Sequence, residues 1–207
     1  MPIDATDSLY GEPVLPNATV LDFWRWGFGD LSDDDVKGFF AEWLGPKRLG
    51  GNSVRRVSWA NSDVITPGKT RIEVKSAAYW QSWKYVGEDG LPLTQPTYSP
   101  KDDKSRIRFA GLKARDAVNI AKDGGIPSFK SDFYVFALQR ETDLSKWNAL
   151  DLTQWEFYWV PVCKLIEFGY ASISLKTLQA HFDSLSANEL AVVGRSAIAA
   201  FEASRNA

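Results

Sequence analysis

The spacing of apolar residues changes period along the chain, and each change predicts an element. After an extended lead containing Pro13 and Pro16, the short run Leu21-Asp22-Phe23-Trp24-Arg25-Trp26 reads as helical or turn-like packing material. Ser32 then has the chemistry of an N-cap, with Asp33, Asp34 and Asp35 in a first turn that complements the helix dipole. Val36, Phe39, Phe40, Trp43 and Leu44 follow at helical spacing, and Gly45-Pro46 predicts the stop. Glu42 falls on the border of that apolar stripe.

From Val54 the period becomes that of strands. Val54 to Trp59, Ser62 to Thr66 and Thr70 to Lys75 are three candidates, the last two joined by the turn Pro67-Gly68-Lys69. A three-residue loop there pairs Thr66 with Thr70 and Val64 with Ile72, and sets Asp63 opposite Glu73. Val64, Ile72 and Val74 then share an apolar face, and Asp63, Arg71, Glu73 and Lys75 share the other. Residues 84 to 105, rich in Gly, Pro and charge, read as a long loop able to cover a site. Ile107 to Gly111, Asp132 to Gln139 and Trp155 to Cys163 are strand-like and extend the sheet. Ser186 and Glu189 form a capping box for a final helix with Leu190, Val193, Ala197 and Phe201 on one face. The pattern predicts one domain over residues 1 to 207, with a core from about 20 to 180 and a helical extension from 181 to 207.

Composition narrows the chemistry. The 207 residues include 9 Trp, 7 Tyr and 12 Phe, enough rigid apolar surface for a sizeable core. With one Cys and one His, neither an internal disulfide nor a structural zinc site is available. Cys163, in an apolar strand-like run, reads as a buried small hydrophobe, and His181 as a surface or core-edge residue. Acids rather than bases lead the chain, and no apolar run approaches the ~20 residues of a membrane span. A cytoplasmic protein with no membrane partner is expected.

A net charge of −2 hides an uneven distribution. Residues 1 to 46 hold nine acids and two bases, whereas residues 47 to 84 hold eight bases and only two acids, Asp63 and Glu73. Two like charges opposed across a hairpin, with Cβ atoms ~5 Å apart, destabilise a sheet unless a cation lies between them. Paired hard oxygens suit Mg²⁺ or Mn²⁺, with waters and a phosphate completing the shell. Lys75, on the same face as Glu73, is placed to stabilise phosphate charge or to help deprotonate an attacking water.

An acid on one strand and Glu-x-Lys on the next resembles the PD-(D/E)xK nuclease superfamily. Three acid-x-Lys triplets occur against ~1.6 expected by chance, so the triplet alone decides nothing. Only Glu73-Val74-Lys75 lies in a strand with an acid across a hairpin; Asp35-Val36-Lys37 is in a helix and Asp102-Asp103-Lys104 in a loop. Leu21 to Trp26, Glu73 to Trp83, Asp132 to Phe136 and Gln154 to Tyr158 together resemble a family of small, uncharacterised bacterial proteins with this signature. Ser62 departs from the motif, which has proline there.

The resemblance implies an α/β (α+β) restriction endonuclease-like core: helix, three-stranded meander, helix, strand, and C-terminal helices around a mixed sheet. It also implies metal-dependent hydrolysis of DNA, with Asp63, Glu73 and Lys75 catalytic, Glu42 a third metal ligand and Gln81 a further contributor. Arg55, Arg56, Lys69, Arg71 and Lys84 would contact backbone phosphates. Cutting both strands would favour a homodimer, with the C-terminal helix offering a surface. Defence or restriction, repair and mobile-element biology are all compatible with such an activity.

Three other readings compete. The same acids and bases would form a salt-bridge ladder on a solvated sheet face, in which Arg71 and Lys75 neutralise Asp63 and Glu73. A nuclease fold can also bind DNA or a protein without cutting, and an aromatic-rich β domain can serve some other ligand. Tyr79, Trp80 and Trp83 fit either base stacking or the core.

Overall fold

The computed structural model describes residues 4–8, 18–50, 56, 60–82, 86–91, 107–115 and 125–205. They form a mixed α/β fold around a four-stranded sheet of order β1-β2-β4-β5, with five α-helices among the described residues. In chain order the elements are α1 (Val20–Phe28), α2 (Asp34–Leu49), β1 (Val64–Ile65), β2 (Arg71–Ala78), β3 (Arg108–Phe109), β4 (Phe133–Gln139), β5 (Trp155–Pro161), α3 (Val162–Phe168), β6 (Ile173–Ser174), α4 (Leu175–His181) and α5 (Ala187–Arg205). β1 and β2 are antiparallel, β2 and β4 parallel, β4 and β5 antiparallel. No helix among the described residues is long and apolar enough to cross a membrane.

Alternation explains the layers. Phe133, Val135 and Ala137 of β4 face a core shared with α2 and α5, while Tyr134, Phe136 and Leu138 face a second core. β4 is buried throughout, as its unbroken apolar run requires. The second core is closed by α3, α4 and a separate two-stranded ribbon of β3 and β6. Ile107 to Gly111 therefore does not join the main sheet as expected; Phe109 lies across the sheet face, 5.1 Å from Phe136 between ring centroids.

The hairpin has the expected register, Val64 opposite Ile72, closed by a hydrogen bond from Thr66 N to Thr70 O of 3.0 Å. Lys69 completes the turn in the left-handed region at φ 69°, the geometry that closes a three-residue hairpin loop. Glu202 of α5 accepts hydrogen bonds from Thr66 Oγ1 at 2.5 Å and Thr70 Oγ1 at 2.8 Å, tying the hairpin to the far helix. Of the expected strand Val54 to Trp59, only Arg56 is described and it is in no strand; the rest lies outside the described residues, as does most of the loop over 84 to 105.

Several expectations are corrected. Asp33, not Ser32, caps α2, its carboxylate accepting from Asp35 N at 2.9 Å and Val36 N at 3.2 Å. Gly45-Pro46 does not stop α2, which runs on to Leu49. Gly45 serves close approach instead: a Cβ there would come 3.1 Å from Val74 Cγ2 and 3.5 Å from Val64 Cγ2. The buried face of α2 is accordingly Val36, Lys37, Ala41, Leu44, Gly45 and Leu49, and the bulky Phe39 and Trp43 turn outward. α1 is a helix with the capping box Thr19/Asp22, yet it buries no residue, so its aromatics are not core material. Trp155 to Cys163 ends as a strand at Pro161, where the chain turns into α3 and leaves Cys163 exposed rather than buried.

The capping box of α5 is present, with Ser186 N donating to Glu189 at 2.7 Å and Glu189 N to Ser186 Oγ at 3.3 Å. Its buried face is Ala187, Leu190, Gly194 and Ile198, with Ala197 and Phe201 at the margin and Val193 outside. A Cβ on Gly194 would collide with Leu49 Cδ2 and lie 3.2 Å from Trp159 Cζ3, so α5 meets α2 and the sheet through this glycine. Gly194→Val is expected to cost about 1–3 kcal/mol by overpacking. Val193→Ala beside it should stay within about 0.5 kcal/mol. Thermal unfolding of the two variants checks this; equal melting points would refute the tight contact.

Candidate functional site

The hairpin, α2 and β4 position the acids. β1 is short because Asp63 leaves the ladder: its Oδ2 accepts the N–H of Val74 at 2.7 Å, a bond that a longer strand would satisfy with backbone. That bond holds the carboxylate beside Glu73. Lys75 Nζ lies 2.6 Å from Glu73 Oε1, both side chains mostly covered. Across β2, Glu73 stands beside Tyr134 and Lys75 beside Phe136. A Cβ on Gly111 would be 3.8 Å from Lys75 Nζ, so the segment after β3 roofs the lysine.

Electrostatics separate Asp63 from its neighbours. Burial first, and then the charge of Glu73, push its carboxyl up to about 7; Glu42 adds to the rise, while the Val74 N–H and Lys75 oppose it. Tyr134, also raised to about 12 by burial and then by Glu73, donates its hydroxyl to Leu112 O at 2.8 Å. This phenol beside Glu73 escaped the sequence reading, because an alternating apolar strand gives no sign of which ring borders a charge. Ser62, where the resembled motif has proline, is buried and its hydroxyl has no hydrogen-bond partner among the described residues.

Glu42 approaches this pair from α2 but is engaged by Arg56, whose Nε lies 2.5 Å and whose NH2 group 3.4 Å from its two oxygens. Arg56 also lies 4.8 Å above the Phe39 ring. Among the described residues, no three or more Asp, Glu, His or Cys side chains gather closely enough to hold a metal ion. Of the three expected ligands, Glu42 is thus paired with Arg56, while Asp63 and Glu73 stand side by side. Two carboxylates still fit Mg²⁺, which commonly takes one or two together with waters and substrate phosphate.

No family model matches the chain, and no match is found among curated proteins. The chemistry of the site follows from its own geometry.

The remaining candidates scatter. Gln81 donates to Ala78 O at 3.2 Å and lines a cavity of about 230 Å³ with Asp34, Lys37, Ser76 and Arg108, which neither Asp63, Glu73 nor Lys75 lines. Arg71 is held by Asp132, at 3.1 Å between charged groups and 2.8 Å from its backbone N–H, so it does not neutralise Asp63 and Glu73. Lys69 is exposed at the hairpin tip, and Arg55 and Lys84 lie outside the described residues. Trp80 is buried and so unavailable for base stacking, Tyr79 is partly buried at the border of the second core, and Trp83 is outside the described residues. His181 is exposed, its ring 5.1 Å from Phe168.

Proposed function

We propose that this protein is a metal-dependent nuclease that hydrolyses DNA phosphodiester bonds, on a restriction endonuclease-like version of the α/β fold. The observation that carries the reading is the half-buried Asp63 carboxylate, held beside Glu73 by a backbone hydrogen bond, with Lys75 directly on Glu73. A helix, an antiparallel hairpin bearing the acids and a strand parallel to β2 support the reading, while the third strand of the expected meander and the helix expected before the parallel strand are not among the described elements. Asp63 and Glu73 would hold Mg²⁺ or Mn²⁺. When bound, the metal supplies Lewis acidity at the phosphoryl oxygen and lowers the pKa of a water. Asp63 and Glu73 orient the site, Lys75 holds positive charge next to the phosphate, and the roof over Lys75 limits access of bulk water.

A second reading is favoured by the ion pairs: Lys75 with Glu73, Arg56 with Glu42 and Arg71 with Asp132 together describe a neutralised, non-catalytic face that binds DNA or a protein. Calorimetric titration with Mn²⁺ separates the two. Saturable binding that Glu73→Ala abolishes in a folded protein is expected for the nuclease. Wild-type protein that takes up no Mn²⁺, even with DNA present, establishes the non-catalytic face.

A further inference from the structure

The feature that neither the carboxylate site nor the core absorbs is a row of exposed rings set among carboxylates on α1 and the outer face of α2. Trp26 is 85% and Phe23 54% exposed, and the row runs from Trp26 to Phe23 at 6.5 Å between centroids, to Phe28 at 6.3 Å and on to Phe39 at 6.1 Å. α1 has nine residues and buries none of them. A helix that short has little stability of its own in water, and a contiguous apolar patch marks a contact surface. Carboxylates share the patch. Asp22 lies one turn before Trp26, and Asp35 one turn before Phe39, which lies one turn before Trp43, so acid and ring adjoin on both helices. Thr19 hydrogen bonds hold the Asp22 carboxyl below its ordinary pKa. Residues 1 to 46 hold nine acids against two bases, of which Lys37 is buried.

The surface already seats cations of its own chain. Arg56 lies 4.8 Å over Phe39 while its guanidinium pairs with Glu42, and Lys47 lies 5.9 Å over Trp43. A cation over a ring with a carboxylate beside it gains twice, from the ring quadrupole and from the charge-assisted hydrogen bond. Phe23 and Trp26 beside Asp22 offer the same combination, and among the described residues no cation lies over either ring.

We propose that this face docks a basic segment of a partner protein, one in which arginine or lysine side chains are interleaved with apolar ones. Charge complementarity selects the occupant. The acids repel nucleic acid and anionic lipid alike, whereas they attract a cationic segment and the rings supply its apolar and cation–π contacts. A second copy of this chain lacks the charge to spare. Apart from Lys69, every described base between residues 47 and 84 is engaged within the chain: Lys47 on Trp43, Arg48 with Asn188, Arg56 with Glu42, Arg71 with Asp132 and Lys75 with Glu73. The inference does not depend on the metal reading of Asp63 and Glu73.

The test is fluorescence anisotropy on the full chain with a labelled peptide that interleaves arginine with leucine, and with the same peptide carrying glutamine in place of arginine. Wild type is expected to bind the arginine peptide in preference, and less tightly as salt is raised. Trp26→Ala and Phe23→Ala are each expected to weaken binding about tenfold or more, and Asp35→Asn about threefold, with circular dichroism unchanged. Glu167→Gln is the control: it removes the same charge from α3, across the sheet from α2, and is expected to leave the affinity as it was. A wild type that does not bind the arginine peptide overturns the proposal. So does a loss on Glu167→Gln equal to that on Asp35→Asn, which reduces the effect to the attraction of any cation to an acidic chain, or binding that the ring variants leave intact. Oligothymidine bound through Trp26, or a dimer that Trp26→Ala dissociates, gives the face to another occupant and likewise overturns it.

Discussion

Lys37→Ala is expected to destabilise the protein by about 2–4 kcal/mol, lowering its melting point by roughly 5–12 °C. The lysine sits on the buried face of α2, its side chain 5% exposed. Its Nζ donates to Trp80 O at 2.6 Å and pairs with Asp34 at 2.9 Å. Asp34 in turn accepts from Ser82 Oγ at 3.2 Å, so the first turn of α2 is bolted to the chain leaving β2. Burial pulls the Lys37 ammonium below its ordinary pKa, and Asp34 opposes that pull. Removing one member of a buried ion pair ordinarily costs about 3–5 kcal/mol; the expected loss is lower because Asp34 is partly open to water and can rehydrate. Lys37→Met retains the stem's packing and should recover part of the loss. Chemical unfolding of both variants measures the difference. A loss for Lys37→Ala of under about 0.5 kcal/mol, the level of a surface substitution, would refute the bolt.

The same lysine shows where the sequence stops being informative. The aspartates before it mark a helix start, and its triplet with Asp35 reads as helical, but nothing local says that a lysine faces inward. The direction in which α2 turns is decided by contact with the sheet. Ala41 and Gly45 let the helix approach Val64 and Val74, and that packing outweighs both the local stop signal of Gly45-Pro46 and the apolar appeal of Phe39 and Trp43. Elements whose partners are near in sequence were legible: the hairpin register follows from a three-residue turn, and the α5 cap from Ser186 and Glu189. β3 pairs with β6, some sixty-five residues away, and two-residue strands carry too little alternation to announce it. Within the site, the hairpin register that brings Asp63 near Glu73 is readable from the turn. The engagement of Glu42 by Arg56 is not, because a helix and a distant cation meet only in three dimensions.

Asp63→Asn is expected to make the metal-free protein more stable, by roughly 2–4 kcal/mol above pH 7. Burial and Glu73 raise the folded carboxyl to about 7 from its ordinary value of 3.8, so the folded state holds a proton that the unfolded state has released between those limits. Stability therefore falls as pH rises through that window. The penalty is absent below 3.8 and fully present above about 7. Asparagine keeps an oxygen for the Val74 N–H and brings an amide that can donate to Glu73 or Glu42, so it removes the charge without orphaning the strand. The melting-point gap between variant and wild type should open from near zero at pH 4 to roughly 5–10 °C at pH 8. Saturating Mn²⁺ should then reverse the order, since only the wild type offers both carboxylates and ligand binding to the folded state adds stability. A salt-bridge ladder predicts the opposite sign, because there Asp63 would be a stabilising anion whose loss lowers the melting point at pH 8. A carboxylate that costs stability at neutral pH until a cation arrives is what a metal site would retain; a purely structural face gains nothing by keeping it.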